Sequence, residues 1–329
     1  MLTRRRLLAL AVPGIVALSL AVACGDSDED AAAITVPEPT PPAEVTITDA
    51  SGQSVKVPGA AKKVVTLTDH DLDATLALGV KPVGVAAGRS GQGSSGEPAP
   101  PAYLASKLSG VTVVTSGTEV LFEKIVGLGP DLILVGEGQN ITEEALGRLR
   151  QIAPTVVTNK QADDWRASVK GVALALNKVE TGNKILAEHD ARAAALKTKL
   201  GSKAGQTVSI VRWNPQGPAF MLQDHFASLV IRDAGLIRPP SQQKPGASPS
   251  LVSLEALDQL DADWMFLGTL TPEAETAMNN AKAMPVFQQL DVVKNNQVVG
   301  INGSVWTSRG GPLAAEMVLA DVEKALTAN

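Results

Sequence analysis

The sequence has few of the residues on which disulfide frameworks, metal sites and nucleic-acid surfaces depend. Its 329 residues include one cysteine and three histidines, and aromatic residues make up 3% of the chain. A single cysteine excludes a disulfide within the chain. His70, His189 and His225 are too scattered in sequence to indicate a zinc or manganese site. The net charge is −5, and beyond the three arginines at 4–6 the chain has no basic run, which argues against a nucleic-acid partner.

Long apolar runs are also scarce, and the one that stands out lies at the N-terminus. Three arginines at 4–6 precede an alanine-rich apolar stretch at 7–22. This stretch is too short to span a hydrocarbon core of roughly 30 Å, and it suits a signal peptide over residues 1–23. It resembles a bacterial lipoprotein signal, in which Cys24 is lipidated. Because Ala21 stands where that pattern usually has leucine, ordinary cleavage before Cys24 remains an alternative.

The segment after Cys24 is acidic and then rich in proline, alanine and threonine. Such a composition cannot bury enough apolar surface to offset its ordering entropy, so residues 24–44 are predicted to be a lipidated N-terminus and flexible tether. The protein is therefore expected to cross the cytoplasmic membrane and to be anchored on its outer face. Residues 3–8 also resemble a twin-arginine export signal, and the choice between that route and the general secretory route stays open.

From residue 45 onward, short apolar runs alternate with helical patterns. Continuous apolar strands separated by helices indicate a parallel sheet that is covered on both faces. The predicted strands are 64–67, 82–86, 111–114 and 131–135 in the first half, and 208–211, 264–267 and 298–301 in the second.

The two halves share an internal repeat. Residues 122–131 align without gaps on residues 254–263, and Gly136 and Gly268 recur at the same offset. A stretch without proline from 179 to 200 favours a helix of about 33 Å, long enough to bridge two lobes. The sequence thus predicts two Rossmann-like α/β lobes with parallel sheets, joined by one long spine helix. The predicted bounds are 45–178 for the N-terminal lobe, 179–203 for the spine and 204–329 for the C-terminal lobe.

In their order, these segments resemble the periplasmic binding proteins for ferric siderophores, haem and cobalamin. The resemblance covers roughly residues 45–329 and implies the class III periplasmic-binding-protein fold, a bilobal clamp that closes little on its ligand. It also implies a monomer that binds an Fe(III)-siderophore complex, needs no cofactor of its own and delivers the complex to an ABC importer permease. In that family one glutamate on each lobe docks against permease arginines, and the matching positions are Glu123 and Glu255. The resemblance rests on residues 64–84, 121–133, 253–263 and 290–313.

The ligand-binding residues are predicted from the rule that ligands sit beyond the carboxyl ends of parallel strands. Arginine offers forked, permanently charged donors for the outer oxygens of an anionic chelate, and tryptophan offers a flat apolar face. Iron that is already chelated needs no direct metal ligand from the protein. The predicted ligand-binding residues are His70, Arg89, Arg212, Trp213, Arg238, Trp306 and Arg309.

Several alternatives remain open at this stage. Arg238 could cap a helix, Arg309 could neutralise an acid, Trp213 and Trp306 could be packing residues, and His70 could fill a vacant iron site or simply begin a helix. Haem or cobalamin could replace the siderophore, with Tyr103 as the only tyrosine available to haem. A sensor lipoprotein that kept the fold is a further possibility. An enzyme is not expected, because the first strand leads into Thr68-Asp69-His70 and not into a glycine-rich phosphate loop.

Overall fold

The computed structural model describes residues 43–89, 97–137, 141–161, 163–246 and 249–327. The predicted signal peptide, Cys24 and almost all of the predicted tether lie outside the described residues. Within the described ranges, none of the helices combines the length and the apolar composition that crossing a membrane requires.

The first lobe is an α/β unit whose central sheet has five parallel strands. Two antiparallel hairpins flank this sheet, one at the start of the lobe and one before its second helix. A 3-10 helix spans Ala102–Lys107. The elements are β1 Glu44–Thr48, β2 Ser54–Pro58, β3 Val64–Thr66, α1 Asp69–Ala77, β4 Gly84–Val85, β5 Thr112–Val113, β6 Thr115–Ser116, β7 Glu119–Val120, α2 Phe122–Leu128, β8 Leu132–Val135, α3 Glu143–Ile152, β9 Thr155–Val157 and α4 Trp165–Ala175. The central sheet has the order β5-β4-β3-β8-β9.

The predicted spine is a 22-residue helix, α5, that spans Val179–Leu200. Its buried residues follow one another at intervals of three and four, which places them on one face of the helix. That face packs against α4 and against two helices of the second lobe. The helix ends at Gly201, whose positive φ of 56° starts a 3-10 turn over Gly201–Lys203. The buried residues are Gly182, Leu186, His189, Ala193, Leu196 and Leu200.

The second lobe has a five-stranded mixed sheet. Its elements are β10 Val208–Asn214, β11 Gly217–Phe220, α6 Phe226–Asp233, β12 Ser250–Leu251, β13 Trp264–Thr269, α7 Pro272–Lys282, α8 Pro285–Gln288, α9 Asp291–Lys294, β14 Val298–Gly300, α10 Gly303–Trp306 and α11 Pro312–Thr327. Two further 3-10 segments span Pro240–Gln242 and Leu254–Leu260. The sheet order is β12-β11-β10-β13-β14.

Three strands of this second sheet, β10, β13 and β14, are parallel as predicted, and the other two are not. β11 pairs antiparallel with β10, and β12 pairs antiparallel with β11. The sequence analysis did not predict this hairpin. Pro215 and Gly217 mark its turn, and Gly217 has a φ of 130° that favours glycine.

Both sheets are buried on both faces, which explains why their strands are continuously apolar. One buried cluster runs from Val64 and Leu132 in the first sheet, past Leu196 of the spine, to Ile210 and Phe266 in the second sheet. Separate clusters cover the opposite face of each sheet. The two lobes and the spine therefore share one continuous core, and this core fixes the positions of the strand ends.

The internal repeat has a shared structural role. Asp131 accepts hydrogen bonds from the backbone N–H groups of Lys62 and Lys63 at 2.8 and 2.9 Å, just before β3 begins. The equivalent Asp263 accepts from the N–H and hydroxyl of Thr207, both at 2.7 Å, just before β10 begins. Each aspartate thus fastens the start of the first central strand in its own lobe.

A buried carboxylate also joins the two lobes. Asp73 on α1 accepts hydrogen bonds from the N–H groups of Leu313 and Ala314, at 2.8 and 3.0 Å, in the first turn of α11. Tyr103 donates its hydroxyl to the same carboxylate at 2.9 Å. A residue of the first lobe therefore satisfies the free N–H groups of a helix in the second lobe.

Candidate functional site

Side chains from both lobes line one cavity of ≈ 110 Å³. In the first lobe the lining residues follow the carboxyl ends of β3, β4 and β9 or lie at the start of α4. In the second lobe they lie at or near the start of α6, directly before β12 and after β14. The residues that follow the parallel strands β3, β4, β9 and β14 agree with the rule for ligand sites in α/β sheets. The first lobe supplies His70, Arg89, Asn159, Gln161, Asp163, Trp165 and Ser168, and the second supplies Asp224, His225, Phe226, Leu229, Pro249, Thr307, Ser308, Arg309 and Gly310.

His70 is the second residue of α1 and is held in a polar cluster. Its Nε2 lies 3.0 Å from Oδ1 of Asn159, and only 3% of the residue is exposed. Burial is the main cause that lowers the pKa of His70, and this depression keeps the ring neutral at pH 7. A neutral imidazole in this position can hydrogen-bond a ligand but adds no charge to the cavity.

The His70–Asn159 contact requires a glycine at position 136. A Cβ built on Gly136 would overlap His70 Nε2 and lie 2.5 Å from Asn159 Oδ1. We expect Gly136→Ala to lower the free energy of unfolding by about 1–3 kcal/mol and to weaken ligand binding, because His70 must move. Chemical denaturation and ligand titration measure the two effects.

Gly147→Ala is the matched control for that substitution. Gly147 lies inside α3 with nothing within 4 Å of its built Cβ, so alanine there should leave binding unchanged and raise stability by about 0.5–1 kcal/mol. If Gly136→Ala behaved like this control, the close packing around His70 would not matter to the site.

Three of the predicted arginines lie at or beside the cavity. Arg89 and Arg309 line it, and Nη1 of Arg212 donates to the carbonyl of Thr307, a lining residue, at 3.2 Å. Burial lowers the pKa of Arg212 and Arg309, and the charge of Arg89 lowers both further. None of the three guanidinium groups forms a salt bridge with any residue that the structure describes. The cavity therefore has guanidinium groups that form no salt bridge with an acid in the described part of the chain.

An aspartate close to Arg89 does not supply a full countercharge. Asp69 is buried, and this burial raises the pKa of its carboxyl to about 7, although Arg89 acts in the opposite direction. A pKa of about 7 means that this carboxyl is not fully charged at neutral pH. Asp163 and Asp224 also line the cavity, but neither forms a salt bridge with any of the three arginines in the described structure, so the guanidinium groups stay available to an anionic ligand.

His225, at the start of α6, is a second neutral histidine in the cavity. Burial and then the charges of Arg212, Arg238 and Arg89 lower its pKa to about 3. The ring is consequently uncharged over the whole physiological range. The sequence analysis did not assign His225 to the ligand site, because α6 begins only after the unpredicted hairpin.

The two predicted tryptophans lie in the core, which corrects the prediction that they contact the ligand. Trp213 is 1% exposed and packs edge-on against Phe287, with ring centroids 6.2 Å apart. Trp306 is 0% exposed, stacks on Phe266 at 4.5 Å and donates its indole N–H to Asp321 at 2.8 Å. Neither ring has a free face to offer a ligand.

Arg238 is also structural, which corrects its assignment to the ligand site. Its guanidinium is buried and donates to the carbonyls of Val208 and Met221 and to Oε1 of Gln242. Burial lowers its pKa to about 9. Arg238 thus satisfies backbone carbonyls at the start of β10 and after β11 and does not line the cavity.

Of the sixteen lining residues the sequence analysis predicted three, His70, Arg89 and Arg309. Trp165 and Asn159 are among those that it missed. Trp165 is the first residue of α4, after Asp164, whose side chain caps the helix by accepting from the N–H of Arg166 at 3.0 Å. Asn159 follows β9, a strand that was not predicted. The strand-end rule would have selected Asn159 if β9 had been recognised.

The residues available for metal binding do not converge. Among the residues that the structure describes, no group of three or more histidine, cysteine, aspartate or glutamate side chains is placed to hold a metal ion. Tyr103, considered above as a haem ligand, donates its hydroxyl to Asp73 and is therefore engaged in the contact between lobes.

Comparison with known proteins agrees with the fold. The periplasmic binding protein family matches residues 64–304. The probable siderophore-binding lipoprotein YfiY of Bacillus subtilis is 33% identical over 291 residues, which cover 84% of this chain and 86% of the relative. The achromobactin-binding periplasmic protein of Dickeya dadantii is 30% identical over 282 residues, covering 84% and 88%. The structure of Staphylococcus aureus SirA complexed with staphyloferrin B has a TM-score of 0.74 at 24% identity, covering 86% of this chain and 98% of that one.

Proposed function

The chain belongs to the periplasmic binding protein family, and on that premise we propose that it binds an anionic ferric siderophore in the cavity between its lobes. It then delivers the chelate to the permease of an ABC importer. The family is one of binding proteins, which agrees with the sequence-based expectation that this chain is not an enzyme. The relatives named above as siderophore-binding and achromobactin-binding proteins support this ligand class.

The observation that carries the proposal is the group of Arg89, Arg212 and Arg309. These side chains present forked donors at the mouth of a partly buried cavity and are not paired with acids in the described part of the chain. A charge-assisted hydrogen bond contributes roughly 1.5–3 kcal/mol, so two or three of them can provide much of a submicromolar affinity. Such hydrogen bonds to the outer oxygens of the ligand leave the iron chelate intact.

Delivery requires a docking surface, and we propose Glu123 and Glu255 for that role. Both are exposed, and each lies in the first turn of the equivalent short helix of its lobe. Lipid attachment at Cys24 would hold the protein at the outer face of the cytoplasmic membrane. A monomer is the simplest species that can present one carboxylate from each lobe to one permease.

The test is a calorimetric titration of the purified mature protein. Ferric siderophores of the hydroxamate, catecholate and citrate types are compared with haemin, cobalamin and the iron-free siderophores. We expect at least one ferric siderophore to bind with submicromolar affinity and its iron-free form to bind much more weakly. Binding should also quench the tryptophan fluorescence, because the indole of Trp165 lines the cavity. This quenching should be absent in Trp165→Phe. Tight binding of haemin or cobalamin alone would contradict the proposal.

A further inference from the structure

The cavity has an inner wall whose chemistry differs from that of its arginine-bearing mouth. We define the inner wall as Trp165, His225, Phe226, Leu229 and Ser308, all of which line the cavity and are buried. We propose that this inner wall is a subsite for an uncharged polar arm of the chelate, of the amide or hydroxyl type. This inference rests on the proposed function. The anionic part of the same ligand then faces the arginines.

The inner wall contains buried polar atoms that have no partner among the described residues. They are Trp165 Nε1, His225 Nδ1 and Ser308 Oγ. Buried polar groups are nearly always hydrogen-bonded, since leaving one unsatisfied costs roughly 1–3 kcal/mol in desolvation. Buried polar atoms without a partner also occur elsewhere among the described residues, for example at Thr75 and Ser228, but the three named here belong to residues that line the cavity. The buried or half-buried indole N–H groups of Trp264 and Trp306, by contrast, donate to Gln206 and Asp321.

The charge of the inner wall selects for a neutral arm. His225 is its only titratable residue, and burial together with the nearby arginines keeps this ring uncharged. The side chains of the wall itself offer a carboxylate no cationic partner, so the carboxylates of the ligand are expected at the arginines and not at the wall. The two acids that line the cavity, Asp163 and Asp224, accept hydrogen bonds from the backbone N–H groups of Lys160 and Gly246 and so stabilise neighbouring loops.

The shape of the wall selects for an arm that is short and amphipathic. Phe226 and Leu229 offer apolar contact, and a volume of ≈ 110 Å³ holds several water-sized groups but not a whole chelate. The indole N–H of Trp165 can only donate, whereas the hydroxyl of Ser308 and the neutral imidazole of His225 can each donate or accept. A carbonyl next to an N–H or hydroxyl, carried on a few methylene groups, matches this arrangement.

The experiment compares two ferric chelates that differ in the arm. Ferric citrate carries carboxylates only, and the second probe is the ferric complex of a citrate whose outer carboxyls bear amide-linked acetyl-hydroxamate arms. Calorimetric Kd values are measured for Trp165→Phe and Ser308→Ala. The matched controls are Trp264→Phe and Ser304→Ala, which remove an indole N–H and a hydroxyl that lie outside the cavity.

We expect each inner-wall substitution to weaken the arm-bearing chelate about three- to tenfold and to change the Kd of ferric citrate less than about twofold. The controls should leave both Kd values unchanged. Thermal unfolding measures whether each variant is folded. If Trp165→Phe does not fold, the Kd values of Ser308→Ala alone test the inner-wall subsite.

Equal losses for the two chelates, no loss for the arm-bearing chelate, or tighter binding of ferric citrate by the wild type would each overturn the inference. These outcomes leave the proposed function intact, because the wild-type protein still binds a ferric chelate. If no ferric siderophore binds the wild type, the proposed function fails and the inner-wall subsite fails with it.

Discussion

Replacing Arg89, Arg212 and Arg309 together by glutamine is expected to weaken binding of the ferric siderophore by at least ~10³-fold. Three charge-assisted hydrogen bonds of roughly 1.5–3 kcal/mol each would total more than this, but such contributions are not additive, and ~10³ corresponds to about 4 kcal/mol. Stability should change little, because no salt bridge is lost and the only described hydrogen bonds removed are the long ones from Arg212 and Arg309 to the carbonyls of Thr307 and Glu137. Relief of their mutual repulsion should stabilise the variant slightly. Calorimetric titration and denaturant unfolding give the two quantities.

Two single substitutions make this experiment specific. Arg232→Gln removes an exposed arginine in the last turn of α6 and should leave the Kd unchanged. Arg238→Gln should mainly destabilise the fold, because it leaves the carbonyls of Val208 and Met221 without their donor. Retention of near wild-type affinity by the triple variant would refute the role of the arginines, whatever the two control variants do.

Salt dependence gives an independent reading of the same charges. A ligand held by several charge-assisted contacts should bind more weakly as ionic strength rises, although partly buried contacts are screened less than exposed ones. In the triple glutamine variant this slope should be nearly flat.

The sequence predicted the architecture well because it depends on patterns that local residues carry. Continuous apolar runs indicated strands buried on both faces, and the proline-free stretch at 179–200 indicated the spine helix. The repeat around Asp131 and Asp263 indicated two lobes with equivalent starts.

The site was predicted only in part, and the pair at 212 and 213 shows why. Successive side chains of a strand point to opposite faces, so Arg212 and Trp213 on β10 cannot both reach the same cavity. Strand geometry alone therefore required one of the two assignments to fail. The packing of the sheet decides which of the two faces the core. In this structure the core contains Trp213, and Arg212 lies beside the cavity.

A similar limit applies to Trp306 and Arg238. Both follow strand ends in sequence, but the chain turns back at each point. Trp306 becomes the last residue of the short helix α10 and stacks into the core, whereas Arg309, three residues later, lines the cavity. Arg238 follows an isolated bridge between Thr207 and Ile237 and donates to the carbonyls of Val208 and Met221. Such turns are set by tertiary packing and cannot be deduced from strand ends.

Simultaneous replacement of Glu123 and Glu255 by alanine is expected to abolish uptake of the ferric siderophore while leaving its Kd unchanged. Both carboxylates are on the outer surface, away from the residues that line the cavity. The pKa of Glu255 is lowered by hydrogen bonds from its own backbone N–H and from the hydroxyl of Ser253. The carboxylate is therefore fully ionised at neutral pH and available to a permease arginine. Single substitutions should reduce uptake only in part, because one lobe can still dock.

Glu143 and Glu273 provide the matched control for that double variant. Each is an exposed glutamate in the first turn of a helix, one in each lobe, and the pKa of Glu273 is lowered in the same way, by its own N–H and the hydroxyl of Thr271. Their joint replacement removes the same charge from the same two lobes at other places on the surface. Uptake of radioactive iron should therefore fall only in the Glu123/Glu255 variant. Equal uptake by the two double variants would show that docking depends on other residues. Loss of uptake in both would show that overall surface charge, and not these two positions, attracts the permease.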